Sequence, residues 1–85
     1  MSKAITVDMV NKRQRQLILY LHRNPEDSDK FSIYLSLNWA GLTITRVGQC
    51  LIRKGLIKKI EGDPPAYELT EKTKQFIDEF RGRGY

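Results

Sequence analysis

Two hydroxyls, two guanidiniums and an amide recur in the run Thr43, Thr45, Arg46, Gln49 and Arg53, and none of these groups is acidic. Arginine presents a rigid fork that suits guanine O6/N7 or a phosphate, glutamine suits adenine, and threonine offers a hydroxyl or a methyl. Wound as a helix, Ile44, Val47, Gly48 and Leu51 share one face, while Thr45, Arg46, Gln49 and Arg53 share the opposite one. Thr43 stands near the helix start. The polar face therefore matches a polyanion with readable base edges. Residue by residue it would also pass for an ordinary solvated helix surface, so the surroundings have to decide.

Those surroundings are basic. The chain has 85 residues and a net charge of +5. From Phe31 to Ile60 there is no Asp or Glu, while Arg46, Arg53, Lys54, Lys58 and Lys59 all fall in that stretch. Such a one-sided distribution points to a basic surface centred on this helix and the segment after it. Arg53, a turn beyond the polar cluster, is placed to reach a phosphate. Lys58 and Lys59 are adjacent in a strand candidate, so only one can face a given side. Lys12, Arg13 and Arg15 are further candidates for backbone contacts. The acids gather elsewhere. Glu26, Asp27 and Asp29 read as loop solvation, and Glu61 and Asp63 occupy a turn where they disfavour insertion into a minor groove.

The elements that must position these residues follow from local signals. Residues 1–10 read as an N-terminal arm, either extended or with a preliminary helical turn. A first helix over 11–24 opens on Asn11, with Gln14 three residues on as a capping box wants. Its buried row is Gln14, Leu17, Ile18 and Leu21, and Asn24-Pro25 ends it. A polar loop, Glu26 to Lys30, comes next. The apolar segment from Phe31 to Trp39 reads as a buried strand or a short helix, and the i, i+3, i+4, i+7 spacing of Phe31, Tyr34, Leu35 and Asn38 favours a short second helix over 30–38. Asn38 to Gly41 make a turn, and a third helix runs over 42–54, where Lys54-Gly55 stops it. A hairpin over 56–69 pairs Leu56–Ile60 with Ala66–Leu69 around the turn formers Glu61 to Pro65. Thr70 and Glu71 then start a last helix over 71–81 with an apolar stripe of Phe76, Ile77 and Phe80, leaving 82–85 as a loose tail.

Other function classes find little support. Apolar residues make up 40% of the chain, enough for one small α+β domain, mainly helical with a small hairpin. A chain of this size buries only about 60% of its unfolded surface, so a partner subunit would help it. The apolar runs are too short to span a bilayer, and the N-terminus lacks the pattern of a signal peptide. The single cysteine, Cys50, reads as a small core filler and fits a reducing, cytoplasmic setting. His22 is the only histidine and has no metal-ligand spacing to Cys50. There is no glycine-rich phosphate loop. An enzyme is not expected, nor is a metal or cofactor.

The order helix, helix, turn, helix, hairpin, helix covers nearly the whole chain and resembles the winged helix-turn-helix superfamily, MarR-like and related small regulators in particular. The residues that carry the resemblance are Thr43-Ile44-Thr45-Arg46, Leu51, Lys54-Gly55-Leu56-Ile57 and, after the hairpin, Tyr67-Glu68-Leu69-Thr70-Glu71-Lys72. The resemblance implies that 42–54 is a recognition helix, that the glycine leads into a wing, and that the protein binds double-stranded DNA sequence-specifically as a transcriptional regulator. Thr43, Thr45, Arg46, Gln49, Arg53, Lys58 and Lys59 would make the contacts. A homodimer closed by Phe76, Ile77 and Phe80 would place two recognition helices about one DNA turn apart. Two other readings stay open: a winged helix used as a protein-interaction module, and a non-specific chromatin-like DNA coat. Two features depart from the family pattern. Gly48 lies on the core face, which calls for close approach by another helix, and Tyr34 and Trp39 are bulky where relatives are small.

Overall fold

A computed structural model describes residues 10–75 and 77. The elements are α1 (Lys12–Arg23), α2 (Lys30–Leu37), α3 (Gly41–Arg53), β1 (Ile57–Ile60), β2 (Ala66–Leu69) and α4 (Glu71–Gln75), with a 3-10 turn at Pro25–Asp27 between α1 and α2. Four helix boundaries fall one residue inside those expected, because the cap residues Asn11, Asn24, Asn38 and Lys54 flank the helices, whereas α3 begins one residue early, at Gly41, expected in the turn. The arm up to residue 9 and the end of the last helix with the tail lie outside the described residues.

Each helix terminus has a local cause. At the start of α1, Gln14 N–H donates to Asn11 Oδ1 (2.8 Å) and Asn11 N–H donates to Gln14 Oε1 (3.1 Å), the expected capping box. Gln14 is itself buried and reaches α3, where its Nε2 donates to Cys50 Sγ at 3.0 Å. The half-buried Cys50 is thus a hydrogen-bond acceptor between helices as well as a filler. Asp29 caps α2 through Ser32 N–H (3.0 Å) and Ser32 Oγ (2.7 Å). Asn38, in the left-handed conformation (φ 57°), ends α2 and turns the chain into buried Trp39. At the end of α3 Gly55 takes φ 77°, Leu56 N–H donates to Leu51 O (3.0 Å) and Gly55 N–H to Ile52 O (3.0 Å). This is a Schellman stop, and only glycine adopts its left-handed residue without penalty.

Strands β1 and β2 pair antiparallel with Ile57 opposite Leu69, Lys58 opposite Glu68, Lys59 opposite Tyr67 and Ile60 opposite Ala66. The segment expected as a polar loop adds a third, short line of pairing. Asp29 bridges to Ala66, Lys30 N–H donates to Pro65 O (2.9 Å), and Tyr67 N–H donates to Ser28 O (3.0 Å). Nothing in its composition announces a strand, and the exposed backbone of the hairpin edge recruits it. Thr70 and Thr73 fasten α4 onto the crossing from α3 to β1: Thr73 Oγ1 donates to Leu56 O at 2.6 Å, and Thr70 Oγ1 lies 3.0 Å from Gly55 O.

One core unites the elements. Leu17, Ile18, Ile33, Ile44, Leu51, Leu56 and Ile57 are fully buried within it. The expectation for Gly48 needs correction. Its close neighbour is the Tyr67 ring of β2 and not a helix: a Cβ built on Gly48 would fall 3.0 Å from the ring. Glycine lets the hairpin rest directly on α3. In α2 the periodic row and the buried side do not coincide. Phe31, Tyr34 and Leu35 form a helical row as expected, but the row is exposed (Phe31 60%, Leu35 63%), and Ile33, on the other side, is buried. No described helix is long and apolar enough to cross a membrane.

Candidate nucleic-acid interface

At 100° per residue, positions 42, 46, 49 and 53 of α3 stand opposite 44, 48 and 51. Burial follows that geometry. Ile44, Gly48 and Leu51 are buried, while Leu42, Arg46, Gln49 and Arg53 are all exposed. Three of the five residues expected on this face thus stand in one outward row about 16 Å long, set by the 1.5 Å rise per residue. Thr43 and Thr45 flank the row and are half-buried.

Thr45 does more than face outward. Its Oγ1 donates to Gly41 O (3.1 Å) and accepts from Lys30 Nζ (2.8 Å). The hydroxyl is largely committed to the protein and holds an ammonium at the edge of the α3 face. Lys30 was missed by sequence reasoning. It sits at the first position of α2 after a polar loop, and only the packing of α2 on α3 brings it here. Leu42 was missed for a different reason, since selection by hydrogen-bonding capacity passes over leucine. The signal that finds it is its spacing of four residues from Arg46.

The hairpin separates its two lysines. Lys59 shares a face with Ile57 and Tyr67, and the Tyr67 ring rests on Gly48 of α3. Lys58 is on the other face, where its Nζ pairs with Glu68 at 3.3 Å in an exposed ion pair. Burial against α3 pushes the Tyr67 phenol up. Glu61 and Asp63 are exposed in the turn. Among the α1 candidates, Lys12 is exposed, Arg13 lies over the Trp39 ring at 5.8 Å, and Arg15 is half-buried. Lys54 Nζ donates to Gln14 Oε1 at 3.2 Å, which ties the end of α3 to the start of α1. Of the residues expected at a dimer interface, Ile77 is buried in the chain's own core, and Phe76 and Phe80 lie outside the described residues.

Beside this face runs an open apolar groove of about 320 Å³ lined by Lys30, Phe31, Tyr34, Gly41 and Pro64. Among the described residues no group of three His, Cys, Asp or Glu side chains is arranged to hold a metal.

No family model and no curated protein matches the chain. Solved structures do. A Staphylococcus aureus MepR–DNA complex aligns with a TM-score of 0.77 at 19% identity, over 88% of this chain and 57% of that one. MepR described as a transcription regulator of the S. aureus multidrug efflux pump MepA aligns at 0.74 and 21% identity, over 86% of this chain and 56% of that one. A MarR family protein from Bacillus stearothermophilus aligns at 0.74 and 19%, over 87% and 53%. The chain spans a little over half the length of these structures. Its own architecture, a helix-turn-helix closed by a hairpin that leans on α3, is the winged-helix fold of these MarR-type regulators.

Proposed function

We propose that the chain binds double-stranded DNA through α3 and discriminates between sequences, as the DNA-reading part of a transcriptional regulator. The observation that carries this is the outward row of α3. Arg46, Gln49 and Arg53 stand exposed in line on a helix without a single acid. In a helix-turn-helix, such a row enters the major groove, where arginine and glutamine meet base edges and phosphates. Lys30 beside Thr45, and Lys59 on the hairpin face that carries Tyr67, would neutralise phosphates. The likeness in fold to a regulator crystallised with DNA supports the reading.

A titration against duplex DNA at several salt concentrations tests it. With about five phosphates neutralised, the log–log slope should lie near −4 to −5. A slope near zero, or no duplex bound by micromolar protein, rejects the proposal. Pairing of two copies through the C-terminal stripe belongs to the same proposal, because two-fold symmetry sets two recognition helices about 34 Å apart. Sedimentation of the intact chain as a 9.9 kDa species at tens of micromolar would reject the pairing alone.

One observation favours a second reading, a protein-interaction module. Phe31, Tyr34 and Leu35 leave an apolar row outward on α2. A salt-insensitive affinity for a protein partner, lost on Leu35→Ser, would support it.

A further inference from the structure

Leu42 is 62% exposed in the first turn of α3. Single surface leucines are common and carry no message by themselves. This one occupies a defined place. It begins the outward row that continues through Arg46, Gln49 and Arg53, with the half-buried Thr43 and Thr45 beside it. The turn that bears it is also fixed: Thr45 Oγ1 holds the Gly41 carbonyl and Lys30 Nζ together, directly before Leu42 in the chain. No side chain caps the start of α3, since Ala40 occupies the cap position. The first-turn amides thus have no side-chain acceptor of their own, as a phosphate at the rim of the groove would require.

We infer that Leu42 is a specificity-determining residue that reads the C5-methyl group of a thymine in the major groove, next to the base pair met by Arg46. The inference rests on the proposed DNA binding through α3. Its chemistry is specific. In the major groove thymine differs from the other bases by a methyl group, and an apolar side chain is what recognises a methyl. Leucine can neither donate nor accept a hydrogen bond, so facing a guanine or adenine edge it would strip water from N7 without replacing it. An exposed leucine in line with Arg46 thus favours a T·A pair at its position and disfavours polar edges there.

The test uses the full chain and a duplex selected by it from a random pool. Each thymine of that duplex is replaced singly by deoxyuridine, which removes only the methyl. Binding by the unchanged chain should weaken about fourfold at one position per half-site, the effect of losing one buried methyl-sized group. For Leu42→Ala, whose side chain has three fewer carbons, the same replacement should have a much smaller effect. Selection with Leu42→Gln should lose the thymine preference at that position and keep the preferences set by Arg46. Circular dichroism checks that both variants fold, as an exposed helical position allows. Equal uracil penalties for the unchanged chain and Leu42→Ala, or no penalty at any thymine of a tightly bound duplex, would overturn the inference and leave DNA binding standing. Leu42→Ala that weakens every duplex alike, or weakens only self-association, would overturn it too and place Leu42 in a backbone or protein contact. If no duplex binds at all, the functional reading falls first and this inference with it.

Discussion

The two helices of the helix-turn-helix pack on each other and turn opposite chemistries outward. α3 buries Ile44, Gly48 and Leu51 and shows water an arginine, a glutamine and a second arginine. α2 buries Ile33 and shows water Phe31, Tyr34 and Leu35. In α3 a polar face opposes an apolar one, so only one rotation of the helix is stable. α2 is apolar nearly all round, and hydrophobicity alone allows several rotations. Its ends decide. Asp29 caps the first turn and bridges to Ala66, while Asn38 in the left-handed conformation fixes the last turn. With both ends held, Ile33 faces the core and Phe31, Tyr34 and Leu35 are left outside. An amphipathic pattern therefore identifies a face only where the opposite face is polar.

The largest test of this contrast is in the core. Ile33→Ala and Ile44→Ala should each destabilise by about 2–5 kcal/mol in denaturant titrations, because both delete fully buried branched side chains. If Ile33→Ala were near-neutral, α2 would be rotated from the arrangement described. Next come the outward residues of α3. Arg46→Ala should lower affinity for a selected duplex by about 1–3 kcal/mol and relax discrimination at one position. Lys59→Ala should weaken all duplexes evenly, and Lys58→Ala much less, since Lys58 faces Glu68 on the far side of the hairpin. Equal losses from the two lysines in a filter-binding series would contradict that placement.

A smaller effect, about 1 kcal/mol, is expected for Asp29→Ala, which removes the cap of α2. Hydrogen bonds from the Ser32 side chain and then its backbone hold the Asp29 carboxyl below its ordinary value. A lowered pKa means that its contribution is complete above the ordinary carboxylate range and is lost as the pH falls below about 4. On acidification between pH 5 and pH 3 the unchanged chain should thus lose more stability than Asp29→Ala, followed by thermal melts across that range. The smallest effect belongs to the apolar row of α2. Phe31→Ser and Leu35→Ser should change stability by no more than about 0.5 kcal/mol, as at other exposed sites. A loss on the scale of Ile33→Ala would mean that this row is covered.

Much of this arrangement is legible in the chain because its causes are local. Asn11 with Gln14, Pro25 after Asn24, and Gly55 after Lys54 fix helix ends by hydrogen bonds within a few residues, so composition and spacing suffice. The polar row Arg46, Gln49 and Arg53 was equally legible, since it opposes an apolar row on the same helix. Lys30, Leu42 and the roles of Thr45 and Lys58 were not. Lys30 reaches Thr45 across fifteen residues, and Lys58 meets Glu68 through the hairpin register. The close neighbour of Gly48 was equally out of reach, because a mid-helix glycine signals a close approach without saying what approaches.

The sequence by itself determined the elements, their order, the inward side of α1 and α3, and the absence of acids along the outward row. Each of these depends on periodicity or on interactions three to five residues apart. The tertiary structure decided which side of α2 is buried, which lysine of the hairpin accompanies α3, and what Thr45 holds. Those outcomes depend on side chains from separate elements competing for the same space, and no local pattern carries that information.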